Sequence, residues 1–158
     1  MLCGKSTIGK KLANKLSCDF IDTDTYIEEK YHYTISDIFN KFSEEVFRDM
    51  EKETLKEIIE REDIVVATGG GLVCYNDNMK IIKERSTSIY LKMNSEALFS
   101  RYIQSKKPRP LFSHMDNEQV KQYIENTLKK REEYYEQADI TIDALSCKVD
   151  DIMLKINH

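Results

Sequence analysis

Glycine and proline are scarce in this chain: 158 residues hold five glycines and two prolines. A chain this sparing of glycine uses it where backbone must come close to something. Four of the five sit in two places, Gly4 and the run Gly69-Gly70-Gly71, and both prolines, Pro108 and Pro110, fall in one basic segment. No apolar run approaches the roughly 20 residues of a spanning helix, so no membrane partner is expected. The four cysteines (Cys3, Cys18, Cys74, Cys147) are far apart and fit no zinc spacing. They read as free thiols of a reducing compartment. Three scattered histidines supply neither a metal cluster nor a Ser-His-Asp arrangement. A net charge of −4 gives no pull toward nucleic acid, so an anionic substrate has to be caught by locally placed Arg and Lys. No secretory signal precedes the first motif, and the cytoplasm is the expected compartment. Repeats and low-complexity tracts are absent, and the length suits a single domain over 1–158.

The informative stretch comes first. Gly4-Lys5-Ser6-Thr7 matches the second half of the phosphate-loop pattern G-x-x-x-x-G-K-[ST]. Glycine lets backbone N–H groups close on phosphate oxygens, and the lysine adds positive charge at the β/γ end. The next hydroxyl ligates Mg²⁺, and the helix N-terminus completes the field. By itself this half-pattern points to a nucleotide phosphate and no further, and the remainder of the chain has to decide it.

Ile8, Leu12 and Leu16 then recur every four residues, as on an amphipathic helix. Asp19 to Asp22 reads as a short strand, 25–31 as a helix, and Thr34 with Asp37 as the cap of another. Ser43 opens a longer helix to about Glu60. Ile64-Val65-Val66-Ala67 is a fully apolar strand running into Thr68 and the glycines. A helix near 76–84, a strand at 88–91 and a helix from Ser95 follow. Residues 104–116 lose periodicity and read as a mobile surface loop. A long helix over 118–137, a strand at 140–142 and a closing helix over 149–156 complete the chain.

Strands alternating with helices give an α/β fold with a parallel sheet and helices on both faces. Ligands of such sheets bind beyond the carboxyl ends of the strands, where Asp22, Asp24 and Gly69–Gly71 all fall. A phosphate loop normally hangs from a buried strand just before it, and none precedes Met1. The expectation is an upstream start, with open ladders on two neighbouring strands and a slot in the core of the chain as it stands.

In order and in register, GKSTIGKKLA, FIDTDTYIE, ISDIF with FRDME, ATGGGLV, RPLF and the KREEYY segment resemble shikimate kinase over essentially the whole length. The resemblance implies a three-layer P-loop kinase fold of strand order 2-3-1-4-5, lacking its first strand and half its loop. A shikimate-binding helical segment would span about 24–60 and a lid about 104–116. It implies transfer of the γ-phosphoryl of ATP to the 3-hydroxyl of shikimate, in aromatic amino-acid synthesis. Gly4, Lys5, Ser6 and Thr7 would then bind ATP, with Ser6 and Asp22 at the metal. Asp24 would accept the proton of the attacking hydroxyl. Arg48 and Arg131 would hold the substrate carboxylate, and Gly70 and Gly71 would lie close to the ring. Arg109 would reach the phosphates from the lid, and Arg101 would line the adenine side. A monomer is the expected state for a kinase of this size with a closing lid.

Taken singly, Asp22 and Asp24 also read as strand-end caps, and Arg48 and Arg131 as solvated residues of charged helices. Two departures stand out: Leu2 occupies the place of an inner loop glycine, and Ser43 that of the glycine before Glu44 and Arg48. Two other functions stay open on sequence. One is another small-molecule kinase such as gluconate kinase, and the other a non-catalytic ATP-binding domain with an incomplete loop.

Overall fold

Among the described residues, four four-residue strands carry the architecture. They are β1 (Asp19–Asp22), β2 (Ile64–Ala67), β3 (Ile89–Lys92) and β4 (Ile140–Asp143). The computed structural model describes residues 2–105 and 110–156. β1 pairs with β2 in parallel, from Asp19 opposite Ile64 to Asp22 opposite Ala67. β3 pairs with β4 in parallel, from Ile89 opposite Ile140 to Lys92 opposite Asp143. Parallel neighbours need long crossovers, which helices supply. Helices α2 (Thr23–Tyr31), α3 (Ile35–Lys41) and α4 (Glu44–Ile59) lie between β1 and β2. Helix α5 (Asn78–Arg85) leads into β3, and α6 (Ser95–Gln104) and α7 (Asn117–Tyr135) lead from it to β4. Helix α1 (Lys5–Leu16) opens the chain and packs on α8 (Val149–Ile156), which closes it.

The two strand pairs are separate two-stranded sheets. They are the pairs that an order 2-3-1-4-5 leaves when its central strand is taken out. Between them lies a cavity of about 850 Å³, walled by Val65 and Val66 of β2, Tyr90 and Leu91 of β3, and Leu12 of α1. Among the described residues no strand pairs with the inner edge of β2 or β3. Buried edge groups without partners are destabilising, and each net hydrogen bond regained is worth about 1 kcal/mol. A chain extended ahead of Met1 by an apolar strand and a glycine turn should therefore melt about 5–10 °C higher, at about 2–4 °C per kcal/mol for this size. Thermal melts of the two forms check this, and equal midpoints would mean that the cavity takes no strand.

Caps set the helix ends. Thr34, Ser43 and Asn94 accept hydrogen bonds from the backbone N–H groups of Asp37, Val46 and Ala97. Asp116 and Gln119 form a reciprocal capping box at the start of α7. Helix α2 begins at Thr23, two residues before the apolar pattern suggests, because Asp22 caps it through Asp24 N–H at 3.2 Å. The larger core lies around β3 and β4, with Leu91, Leu98, Val120, Ile124, Ile142 and Ile152 buried. A smaller one, Ile27, Ile38 and Phe47, joins α2, α3 and α4.

The glycine outside the two clusters, Gly9, has a packing reason: a Cβ there would stand 2.7 Å from the Phe20 ring. The described end of the 104–116 segment, from residue 110, departs from the surface loop that its composition suggests. A 3₁₀ turn (Pro110–Phe112) carries Phe112 into the core, edge-on to Tyr102 at 5.1 Å and Tyr123 at 5.8 Å. That anchor lies at the far end of the segment expected to form a lid. Arg109, its proposed phosphate contact, lies outside the described residues.

Candidate active site

The phosphate loop closes on Gly4, which sits at φ 89° as the N-cap of α1. That left-handed backbone favours glycine. It turns the first N–H groups of the helix, those of Lys5, Ser6 and Thr7, toward the space beyond the strands. Leu2 takes φ 58°, also left-handed, at a cost of about 1–2 kcal/mol for a residue with a Cβ. Arg101 braces the turn, donating to Leu2 O at 3.4 Å and to Ala144 O at 3.2 Å, and its guanidinium comes within 3.5 Å of a Cβ placed on Gly4. Burial works against the Lys5 charge, but the Cys3 sulfur, Tyr135 and Asp24 outweigh it and hold the ammonium above its ordinary value.

Beside the loop, Ser6 Oγ donates to Asp22 Oδ2 at 2.5 Å, and Asp22 Oδ1 accepts from Asp24 N–H. A hydroxyl and a carboxylate in contact make a hard-oxygen pair that fits Mg²⁺. This ion takes few protein ligands and fills its octahedron with water and phosphate oxygens. The described residues form no cluster of three or more His, Cys, Asp or Glu side chains that could hold a metal ion. Burial pushes the Asp24 carboxyl above its ordinary range, the neighbouring Asp22 adds to this, and Lys5 opposes it.

The triple glycine joins this half of the site to the other. Gly69 N–H donates to Thr23 Oγ1 at 2.7 Å, which pins the loop to the start of α2. A Cβ on Gly69 would stand 2.6 Å from Asp24 Oδ1, and one on Gly71 would stand 2.6 Å from Arg48 Nη1. Side chains at those places would push Asp24 and Arg48 apart, so glycine there is a condition of the site. Arg48 is held on three sides. It donates to Glu51 Oε2 at 2.5 Å and to Glu44 Oε1 at 2.8 Å, and its guanidinium lies 4.2 Å from the Tyr75 ring centre. Arg131 of α7 faces the same space, since its charge acts on Glu44, Glu51 and Tyr135.

Lys5, Asp22, Asp24, Arg48, Gly70, Gly71 and Arg131 thus gather at one end of the strands. Glu51, Tyr75 and Tyr135 join them without having been singled out in the sequence. Glu51 is 1% exposed, and burial raises its pKa against the pull of Arg48. Its signal was available: it stands in the apolar stripe Phe47, Glu51, Leu55, Ile58, where a carboxylate has no ordinary business. Tyr75 and Tyr135 carry no comparable mark, because one follows an irregular turn and the other a run of charged residues.

The family model described as Shikimate kinase matches residues 1–158. The chain belongs to the shikimate kinase family. It is 43% identical over 154 residues to the shikimate kinase of Azobacteroides pseudotrichonymphae, covering 97% of this chain and 91% of that one. To the Parabacteroides distasonis shikimate kinase it is 41% identical over 144 residues, covering 91% and 83%. The crystal structure of the Bacteroides thetaiotaomicron shikimate kinase superposes with a TM-score of 0.94 at 32% identity, covering 100% and 94%. That of the Acinetobacter baumannii shikimate kinase in complex with shikimate gives 0.86 at 34%, covering 99% and 86%. The α/β P-loop kinase fold and kinase activity expected from the motifs are those of the family.

Proposed function

We infer that the chain transfers the γ-phosphoryl group of ATP to the 3-hydroxyl of shikimate, with the site residues in the following roles. One observation carries the reading: Gly69–Gly71 brings an acceptor carboxylate, Asp24, and an anion-binding guanidinium, Arg48, to its two sides. A substrate with a carboxylate at one end and an alcohol at the other suits that pair.

Lys5 and the N–H groups at the start of α1 hold the β- and γ-phosphates, with Gly4 permitting the approach and Thr7 completing the turn. Ser6 and Asp22 would hold Mg²⁺, which would supply charge neutralisation at the phosphate oxygens. Arg48 and Arg131 grip the substrate carboxylate, for which guanidinium forks are better suited than ammonium groups. Glu51 and Glu44 fix the Arg48 fork, and Tyr75 stacks on its face. Asp24 orients the 3-hydroxyl and takes its proton as the oxygen–phosphorus bond forms and the bond to the ADP oxygen breaks. Arg101 shapes the nucleotide side by bracing Leu2, and Arg109 would reach the phosphates from the segment after α6. As part of the same proposal the chain works as a monomer in the cytoplasm. No helix among the described residues is long and apolar enough to cross a membrane.

The substrate test is direct. With ATP–Mg²⁺ and either shikimate or gluconate, ³¹P NMR should show a new phosphomonoester from shikimate alone, coupled to the proton on carbon 3. A phosphomonoester from gluconate in place of shikimate would overturn the reading.

A further inference from the structure

The three carbonyls of the glycine run are all engaged, but in two different ways. Gly69 O and Gly71 O accept from Leu72 N–H at 3.3 Å and Cys74 N–H at 2.9 Å, within the local turn. Gly70 O accepts from the Tyr135 hydroxyl at 2.6 Å, across a separation of 65 residues. A trans peptide is planar, and its C=O and N–H point opposite ways; the chain has no cis peptide among the described residues. Drawing Gly70 O toward α7 therefore turns Gly71 N–H away from α7. That N–H has no acceptor among the described residues. Tyr135 also stands one helical turn after Arg131, whose charge it feels, and close enough to Lys5 to raise the lysine's affinity for its proton. Its ring packs on Tyr90 with centres 5.2 Å apart.

We propose that Tyr135 is a positioning residue for the acceptor substrate: its hydroxyl fixes the Gly70–Gly71 peptide so that the Gly71 N–H is presented to shikimate. The same contact ties the glycine run to the helix that carries Arg131, so the two substrate contacts keep one spacing. The proposal rests on the shikimate reading above.

Tyr135→Phe keeps the ring and removes the hydroxyl. One neutral hydrogen bond is worth about 0.5–1.5 kcal/mol, so KM for shikimate should rise about 3–10-fold. KM for ATP and the melting temperature should hold, and the Gly71 amide resonance should move in a ¹⁵N spectrum. Tyr90→Phe, which removes a hydroxyl from the partner ring, should leave KM for shikimate and the Gly71 resonance where they are. A Tyr135→Phe protein with unchanged KM for shikimate and an unmoved Gly71 resonance would overturn the proposal. So would equal rises in both KM values with a fall in melting temperature, which is what a merely structural tyrosine would give. If the wild-type chain turns over no shikimate, the functional reading fails. The Gly71 resonance still decides whether Tyr135 sets that peptide.

Discussion

Asp24→Asn should lower shikimate-dependent turnover about 10²–10⁴-fold, the usual range for loss of a positioned general base. KM for shikimate should change little. The amide has nearly the carboxylate's shape and still accepts a hydrogen bond from the 3-hydroxyl, but it cannot take the proton. Steady-state kinetics with saturating ATP–Mg²⁺ check this, and a variant within a few-fold of wild type would remove Asp24 from the chemistry.

The pH dependence carries the same signature. Burial, with Asp22 beside it, holds the Asp24 carboxyl above its ordinary value despite Lys5. Only the ionised form accepts a proton, so kcat/KM for shikimate should fall on the acid side at a pH above the ordinary carboxylate value. Stability runs the other way. A carboxyl whose folded pKa is raised favours the fold fully below its unfolded pKa, and that contribution is lost as pH rises through the folded pKa. At pH 7 the ionised Asp24 is a net burden on folding. Asp24→Asn should therefore melt higher than wild type at pH 7 while being nearly inactive.

Arg48→Ala should act on binding and folding together. Truncating one partner of a close, hydrogen-bonded charge pair costs about 2–5 kcal/mol, so kcat/KM for shikimate should fall roughly 10²–10³-fold. Most of that loss should appear in KM. Glu51 would meanwhile keep a buried carboxyl without its nearest partner, and breaking such a pair destabilises by about 3–5 kcal/mol. Adding Glu51→Gln removes the stranded charge. The double variant should recover much of the melting temperature but none of the shikimate affinity, which separates the two roles. Arg48→Lys should not restore binding, because an ammonium cannot make the paired fork or lie flat on Tyr75. Titration calorimetry with shikimate and thermal melts of the four proteins measure both effects.

Features fixed by local rules were readable before the fold was known. Strand β2 is a short apolar run, the caps at Thr34 and Ser43 are local hydrogen bonds, and the glycine run announces a close approach that Asp24 and Arg48 make explicit. The slot between β2 and β3 was readable too, because a phosphate loop implies a strand beneath it. Features that need two distant segments at once were not. Tyr135 matters through Gly70, 65 residues away, and no periodicity reports such a pairing. The start of α2 is hidden in the sequence because Asp22 serves at once as strand end, helix cap and partner of Ser6. Phe112 carries no local mark of burial, because its anchor, between Tyr102 and Tyr123, comes from two helices on either side of it. Glu51 lies between these cases: its place in an apolar stripe was visible, but its partner Arg48 gave the stripe its meaning.

The most direct measurement is shikimate-dependent ADP release by the 158-residue chain itself, with ATP–Mg²⁺ saturating. One ADP and one phosphomonoester per shikimate consumed, lost in Asp24→Asn, is the result predicted for a phosphate loop and acceptor site that work together on this scaffold. ATP binding without any shikimate-dependent ADP would contradict it and leave a nucleotide-binding domain with no transfer activity.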